Sequence, residues 1–408
     1  MSIKLYNAIL NQKKFKLGWL FRLGLLLRSS LYFVYTFWMA IFSKRPSFHT
    51  IHSQDIQKIL VLRPDRIGDF ILFTPTLKLL KKYFPNAQID LFIQKGTASI
   101  AACFEGWSQL HTFEDIDNPK ERHDFIQKVH GQYQVVMVCS SMRIIYKMAS
   151  QLKSNITLGW DVKGMRHTLS HPLDHKLWIK SNMHMVHINT ALISQLAQYI
   201  EDWPDVEKES IHNEATGPDL LFPFQETDTG KEQYQQFIKE SRIDTSKPTL
   251  VIHPSSFTYR VRWKAHKFAA IANKAHRLGT QVIFIGTTHD NAILDSVYKH
   301  LEFAPLSTVG QLHLQGTASL LRNASVFLGN STGPMHLAAA TGIPTVAIFG
   351  NRYPMDREEM WRPWGSNGHV VSVDKQICCQ MPWTCKEMKC MTEIHTETVW
   401  DKIREFIQ

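Results

Sequence analysis

Asn330-Ser331-Thr332-Gly333-Pro334-Met335-His336-Leu337-Ala338-Ala339-Ala340 is the stretch whose reading decides the fold. The apolar run Ala324 to Leu328 before it reads as a buried strand. A tight polar turn follows, then a helix to about Thr341, closed by Gly342 and Pro344. Thr345 to Phe349 opens the next strand. The turn therefore aims unpaired backbone N–H groups and a helix N-terminus at whatever lies above the strand ends. That is an anion site, and its usual occupant is a diphosphate.

Outward from this unit the same alternation recurs. Residues 58 to 63 form a first parallel strand, with Gly68 and Asp69 at the following turn and an amphipathic helix over Leu72 to Phe84. Ile89 to Ile93, Leu110 to Phe113 and Val135 to Val138 continue the strands. A helix from His184 to Ile200 precedes a Pro- and acid-rich stretch, 202 to 230, where a domain boundary is expected. The pattern restarts with the strand Thr249 to His253, a helix from Lys267 to Leu278 ended by Gly279, and the strand Val282 to Ile285. This is a doubly wound α/β pattern, written twice.

The 408 residues suffice for two domains, and 44% hydrophobic residues support two cores. The net charge of +10 is unevenly placed. Lys4, Lys13, Lys14, Lys16, Arg22, Arg28, Lys44 and Arg45 stand in residues 1–50 without an acidic residue, supplying +8 of it. The remainder is nearly neutral, which argues against nucleic acid and for an anionic surface near the N-terminus. The uncharged run Ser29 to Ser43, rich in Tyr, Trp and Phe, would span roughly 22 Å as a helix, short of the ~30 Å hydrocarbon core. Residues 15–43 therefore read as helices lying in a membrane interface, with an extra helical layer on the first domain as the other reading. Cys378, Cys379, Cys385 and Cys390 cluster without a zinc-ribbon spacing and read as structural.

Four blocks resemble the heptosyltransferase family, glycosyltransferase family nine. They are the 330–340 stretch, Arg63-Pro64-Asp65-Arg66-Ile67-Gly68-Asp69 with Thr74-Pro75, His253-Pro254-Ser255-Ser256 with Arg262-Trp263 and Phe268, and Ile283-Phe284-Ile285-Gly286 with His289-Asp290. The resemblance implies the GT-B architecture: two Rossmann-like domains facing a cleft, here with a basic amphipathic N-terminal extension. The expected division is 1–50 membrane-interface segment, 51–215 acceptor domain, 216–395 donor domain, and 396–408 a helix packing back on the first domain.

The same resemblance makes Asp69, after the motif glycine Gly68, the general base for an acceptor sugar hydroxyl. On residue type alone, a carboxylate at this turn is more often a helix cap than a base. Donor contacts are expected from Ser255, Ser256, Arg260, Arg262, Asp290, Ser331, Thr332, Gly333, Met335 and His336. Within that set the backbone N–H groups of Thr332, Gly333 and Met335 would stabilise the leaving diphosphate. His336 reads either as a donor contact or as a buried structural histidine, and Asp290 as a ribose contact or a cap. Two departures from the family stand out: Val261 where a lysine is common, and Ser331 where an aspartate is common. Gly68, Arg143, Arg166 and His167 are the acceptor-side expectations, the three cationic residues suiting an acidic glycolipid.

The whole implies an inverting glycosyltransferase with no cofactor and no metal requirement. It would move a heptose from ADP-heptose onto a lipopolysaccharide core or related surface glycan. Residues 1–45 would hold it on the cytoplasmic face of the inner membrane, beside a lipid-linked acceptor. Two other functions fit parts of the chain: a sugar-nucleotide epimerase or hydrolase of the same fold, and a non-catalytic membrane-bound sugar-nucleotide-binding protein.

Overall fold

The computed structural model describes residues 50–160, 162, 165, 168–173, 183–203, 220, 222–256, 262–350, 357–373 and 389–408. The membrane-interface segment, Arg166, His167, Arg260, Val261, Cys378, Cys379 and Cys385 lie outside the described residues. Among the described residues no helix is long and apolar enough to cross a membrane.

The first half runs β1 (Lys58–Leu62), α1 (Ile67–Ile71), α2 (Thr74–Tyr83), β2 (Gln88–Gln94), α3 (Lys95–Ala101), β3 (Gln109–Phe113), α4 (Pro119–Val129), β4 (Val135–Val138), α5 (Arg143–Ala149), β5 (Ile156–Trp160), β6 (His171–Leu173) and α6 (Met185–Ala197). The second runs α7 (Asp228–Glu240), β7 (Thr249–His253), α8 (Ala265–Arg277), β8 (Gln281–Phe284), α9 (Asn291–Tyr298), β9 (Leu306–Ser307), α10 (Leu314–Arg322), β10 (Val326–Asn330), α11 (Gly333–Thr341), β11 (Thr345–Phe349), α12 (Glu358–Trp361), β12 (Gly368–Ser372), α13 (Lys389–Thr392) and α14 (Thr396–Arg404).

Each half holds one parallel sheet, ordered β3-β2-β1-β4-β5-β6 and β12-β11-β10-β7-β8-β9. Counted within its own half, each sheet has the order 3-2-1-4-5-6, so both reverse direction between their first and fourth strands. Such switch points open a crevice at the carboxyl ends of the strands. In the first half that crevice lies above β1 and β4, paired Leu62 to Val138; in the second it lies above β7 and β10, paired His253 to Gly329. The central strands are buried on both faces, which is why they read as unbroken apolar runs rather than alternating ones.

One apolar cluster joins the halves, from Ile59 and Val61 of β1 through Met335 and Leu337 of α11 to Val251 and Phe327. The linker segment adds a short antiparallel bridge: Gln225 N–H donates to the Cys103 carbonyl at 2.8 Å, and Glu105 N–H to that of Pro223 at 3.2 Å.

The last helix departs from expectation. Val399, Ile403 and Ile407 pack with Leu250, Ile252 and Val346 on the outer face of the second sheet, so α14 docks on the second domain and not back on the first. Local anchors hold it there. Lys267 Nζ donates to the Thr392 and Ile394 carbonyls at 2.6 and 2.7 Å, and Trp263 Nε1 to Ile394 at 3.1 Å.

Candidate active site

The first rim of the cleft starts where β1 ends. Arg63 follows Leu62, and its side chain is only 1% exposed. A buried guanidinium needs anions and acceptors around it. It finds the Asp69 backbone carbonyl, which accepts from Nε at 3.2 Å and Nη2 at 2.9 Å, and the Cys139 carbonyl at the end of β4. It also lies 3.5 Å from Asp65 Oδ2 and 3.5 Å from Asp69 Oδ1. Ser140 Oγ donates to Asp65 Oδ1 at 3.1 Å. Burial pushes the Asp65 carboxyl up to about 6, with Arg63 opposing the rise and Asp69 adding to it. Asp69 differs: it stands in the first turn of α1 with its side chain 26% exposed, open to the crevice. Arg143 begins α5 on the same rim, three residues past Ser140, and is exposed.

The second rim is held by Asn330, which is fully buried. Its Oδ1 accepts from Trp263 N–H at 3.0 Å, and its Nδ2 donates to the Pro254 carbonyl at 2.8 Å. One amide thus pins the loop after β7 to the end of β10. Ser255 and Ser256 are buried beside it. Thr332 Oγ1 lies 3.3 Å from His253 Nδ1. Burial depresses His253 to about 4, although Asp290 favours its charged form. Arg262 Nε donates to the Ser256 carbonyl at 2.6 Å, and Asp290 is its electrostatic partner.

Asp290 takes the cap role of its two sequence readings. Its Oδ2 accepts from Thr287 N–H at 2.8 Å and Thr287 Oγ1 at 3.0 Å, a capping box. The carboxylate also receives Ser255 and faces His253. Burial would raise its pKa, but these hydrogen bonds together lower it.

The two rims meet at two glycines. A Cβ on Gly68 would lie 3.3 Å from the Gly333 Cα and 3.0 Å from His336 Cδ2. The first turns of α1 and α11 therefore adjoin, which only a missing side chain at Gly68 permits. Both helices bring their positive ends to this contact. Asp69 follows Gly68 directly, so its turn adjoins the Thr332–Gly333 turn contributed by the other half.

In that turn, no backbone hydrogen bond among the described residues takes the N–H of Thr332 or Gly333. Met335 is different. Its N–H donates to the Thr332 carbonyl at 3.1 Å, and its side chain is fully buried in the core. The expected donor contact through Met335 is thus replaced by a structural one, because the helix closes its first turn with that group. His336 is buried, and its Nδ1 has no hydrogen-bond partner among the described residues. Burial depresses it to about 3. Ser331 lies in the turn between Asn330 and Thr332, half-buried.

Asp115 and Asp117, which the sequence places close together, form a local turn in which Asp117 N–H donates to Asp115 Oδ1 at 3.0 Å. Two residues gained importance that sequence reasoning did not give them. Asn330 was legible only as turn chemistry, yet it fastens two loops. His184, an N-cap whose Nδ1 accepts from Val186 N–H at 3.2 Å, spans the halves through Nε2 to the Arg362 carbonyl at 2.9 Å. The sequence expectation began the helix at His184, whereas the structure makes it the cap before Met185.

This arrangement can be set beside known proteins. The family model described as glycosyltransferase family 9 (heptosyltransferase) matches residues 123–391. Lipopolysaccharide heptosyltransferase 3 of Escherichia coli is 22% identical over 313 residues, covering 74% of this chain and 84% of its own. Lipooligosaccharide heptosyltransferase 2 of Campylobacter jejuni is 23% identical over 355 residues, covering 85% and 98%. The crystal structure of a family 9 glycosyl transferase from Veillonella parvula superposes with a TM-score of 0.70 at 18% identity, covering 88% of this chain and 99% of its own. That of Escherichia coli ADP-heptose lps heptosyltransferase II gives 0.67 at 18%, covering 86% and 98%. These structures share the fold of two facing parallel-sheet domains described above. The matched family span covers more than half of the chain and contains the whole second rim, so the protein belongs to glycosyltransferase family 9, the heptosyltransferases, and is a glycosyltransferase.

Proposed function

We propose that the protein transfers a heptose from ADP-heptose to a lipopolysaccharide core or related surface glycan, by one inverting, metal-independent displacement with Asp69 as general base. The observation that carries this reading is the Gly68–Gly333 contact, which sets the Asp69 turn against the anion-binding turn of the other half. An acceptor hydroxyl gives its proton to the Asp69 carboxylate as its oxygen attacks the anomeric carbon. The bond to the diphosphate breaks in the same step, and its electron pair leaves with the nucleotide.

Charge then grows on the diphosphate. The N–H groups of Thr332 and Gly333, the positive end of α11, Ser255, Ser256 and the Arg262 guanidinium form the preorganised set that would receive it. Asp290 suits a ribose hydroxyl through the acceptor capacity that Thr287 and Ser255 leave open. Arg143, with Arg166 and His167, would meet an acidic acceptor. Residues 1–45 would keep the enzyme on the cytoplasmic face of the inner membrane, in the plane of a lipid-linked acceptor.

The test is a thermal-shift panel of ADP-heptose, UDP-sugars and GDP-sugars, followed by nucleotide release with and without acceptor glycolipid. ADP-heptose is expected to stabilise the protein and to release ADP only when acceptor is added. Asp69→Asn should bind donor normally and transfer about 10²- to 10⁴-fold more slowly. Preference for another nucleotide would move the donor, a change to which Ser331 makes the chain open. Acceptor-independent release would favour a hydrolase, and parental transfer by Asp69→Asn would remove the base assignment.

A further inference from the structure

Arg63 partners Asp65, as the sequence suggests, but its surroundings assign it more. The side chain is fully enclosed, and its planar fork meets three different parts of the first rim. Nε and Nη2 both donate to the backbone carbonyl of Asp69 itself, at 3.2 and 2.9 Å. Nη1 donates to the Cys139 carbonyl, across the switch point at the end of β4. The Trp160 ring lies 5.5 Å from the guanidinium carbon and closes one face of it. The two carboxylates, Asp65 and Asp69, each stand 3.5 Å from one Nη atom.

We infer that Arg63 is the positioning residue of the base: its fork fixes the first turn of α1 through the Asp69 carbonyl and supplies a guanidinium that Asp65 and Asp69 share. The inference rests on the reading of Asp69 as the base. A lysine could keep the charge but not the double donation to one carbonyl, because an ammonium has no planar fork. The other ionisable groups at this point are Arg66, which precedes α1, the Cys139 thiol, which burial pushes up to about 12 and so keeps neutral, and the buried His336 ring of the facing helix.

Three variants separate the alternatives: Arg63→Lys, Asp69→Asn and the Arg63→Lys/Asp69→Asn pair. Each is assayed for kcat and donor KM. Arg63→Lys is expected to lower kcat about 10- to 100-fold with donor KM little changed, because the base is displaced while the donor rim is intact. In the Asp69→Asn background the same change should cost nothing further, since residues acting as a unit are not additive. Parental kcat in Arg63→Lys, or an undiminished loss on top of Asp69→Asn, would make Arg63 a structural residue only. Should Arg63→Lys fail to fold, Arg63→Gln, which keeps a planar amide donor, takes its place in the same cycle, and parental kcat in it overturns the inference. Parental transfer by Asp69→Asn would instead overturn the base reading, a separate result.

Discussion

Gly68→Ala is the sharpest perturbation of the interdomain contact. The new methyl would stand 3.0 Å from His336 Cδ2, 3.3 Å from the Gly333 Cα and 3.7 Å from the Gly333 nitrogen. Ordinary carbon contacts are about 3.5–4.0 Å, so the first two neighbours must retreat by several tenths of an ångström. The His336 ring is itself buried and has little room to turn, and the Gly333 Cα is backbone. Overpacking of this kind costs about 1–3 kcal/mol. Against it, alanine in a helix gains about 1 kcal/mol over glycine. Folding stability should therefore fall by no more than about 2 kcal/mol. Function should fall further, because the strain is relieved by moving the two rims apart. A displacement approaching 1 Å between base and donor costs about 100-fold.

The assay is kcat/KM for transfer, measured beside a denaturant unfolding curve. Gly333→Ala is the control. Its methyl would lie 3.5 Å from the Gly68 nitrogen and 3.9 Å from Ile67 Cβ, both ordinary contacts, so its unfolding curve should match the parent. A Gly68→Ala enzyme with parental kcat/KM would show that close approach of α1 and α11 does not assemble the site.

Two further outcomes are expected. Burial holds His184, His253 and His336 at about 3, 4 and 3, whereas in the unfolded chain each titrates near ~6.5. Between those values the unfolded chain binds more protons, so each contributes stability that is full above about pH 6.5 and lost as pH falls toward the folded values. Asp65, raised to about 6, acts in the opposite sense, but one carboxyl stands against three imidazoles. Denaturant unfolding at pH 7.5, 6 and 5 should show stability declining on acidification; a flat profile would refute neutral burial of these rings. Separately, deletion of residues 1–45 should release the protein from anionic vesicles, and high salt should weaken the intact chain's binding, since screened charges attract less. Unchanged vesicle binding by the shortened chain would remove the membrane role.

The sequence made the strands and the chemistry at their ends legible for one physical reason. A parallel sheet buried on both faces demands unbroken apolar runs, and it delivers whatever follows each run to one crevice. Thus Val135–Val138, Thr249–His253 and Thr345–Phe349 form strands at their expected bounds, and Asp69, Ser255 and Thr332 follow the carboxyl ends of β1, β7 and β10. What stayed hidden was pairing between distant surfaces. The stripe Val399, Ile403, Ile407 states that α14 must dock but not on which domain, and it docks on the second. The Gly68–Gly333 contact is of the same kind. Each glycine alone is only a permissive residue in a turn, and their meeting depends on how two rigid sheets face each other. Met335 misled for a local reason: an N–H at a helix start reads as unpaired, yet this one closes the turn onto Thr332.

Among the described residues Arg262 is the group best suited to carry positive charge opposite a diphosphate, a role the sequence left between Arg260 and Arg262. His253 and His336 both stand at the α11 turn, where burial and the positive end of the helix each oppose protonation. They are neutral rings at any pH where the enzyme is folded and stable, so they act by packing and hydrogen bonding. An arginine escapes this limit. Burial lowers the pKa of Arg262 as well, but from so high a value that it stays charged. Its Nε is fixed on the Ser256 carbonyl, which sets the plane of the guanidinium, and Asp290 balances it when no anion is present. The same pair would let this chain, with Val261 where the resemblance implies a lysine, keep a cation on the proposed donor rim one residue along, on a side chain already oriented by the Ser256 carbonyl.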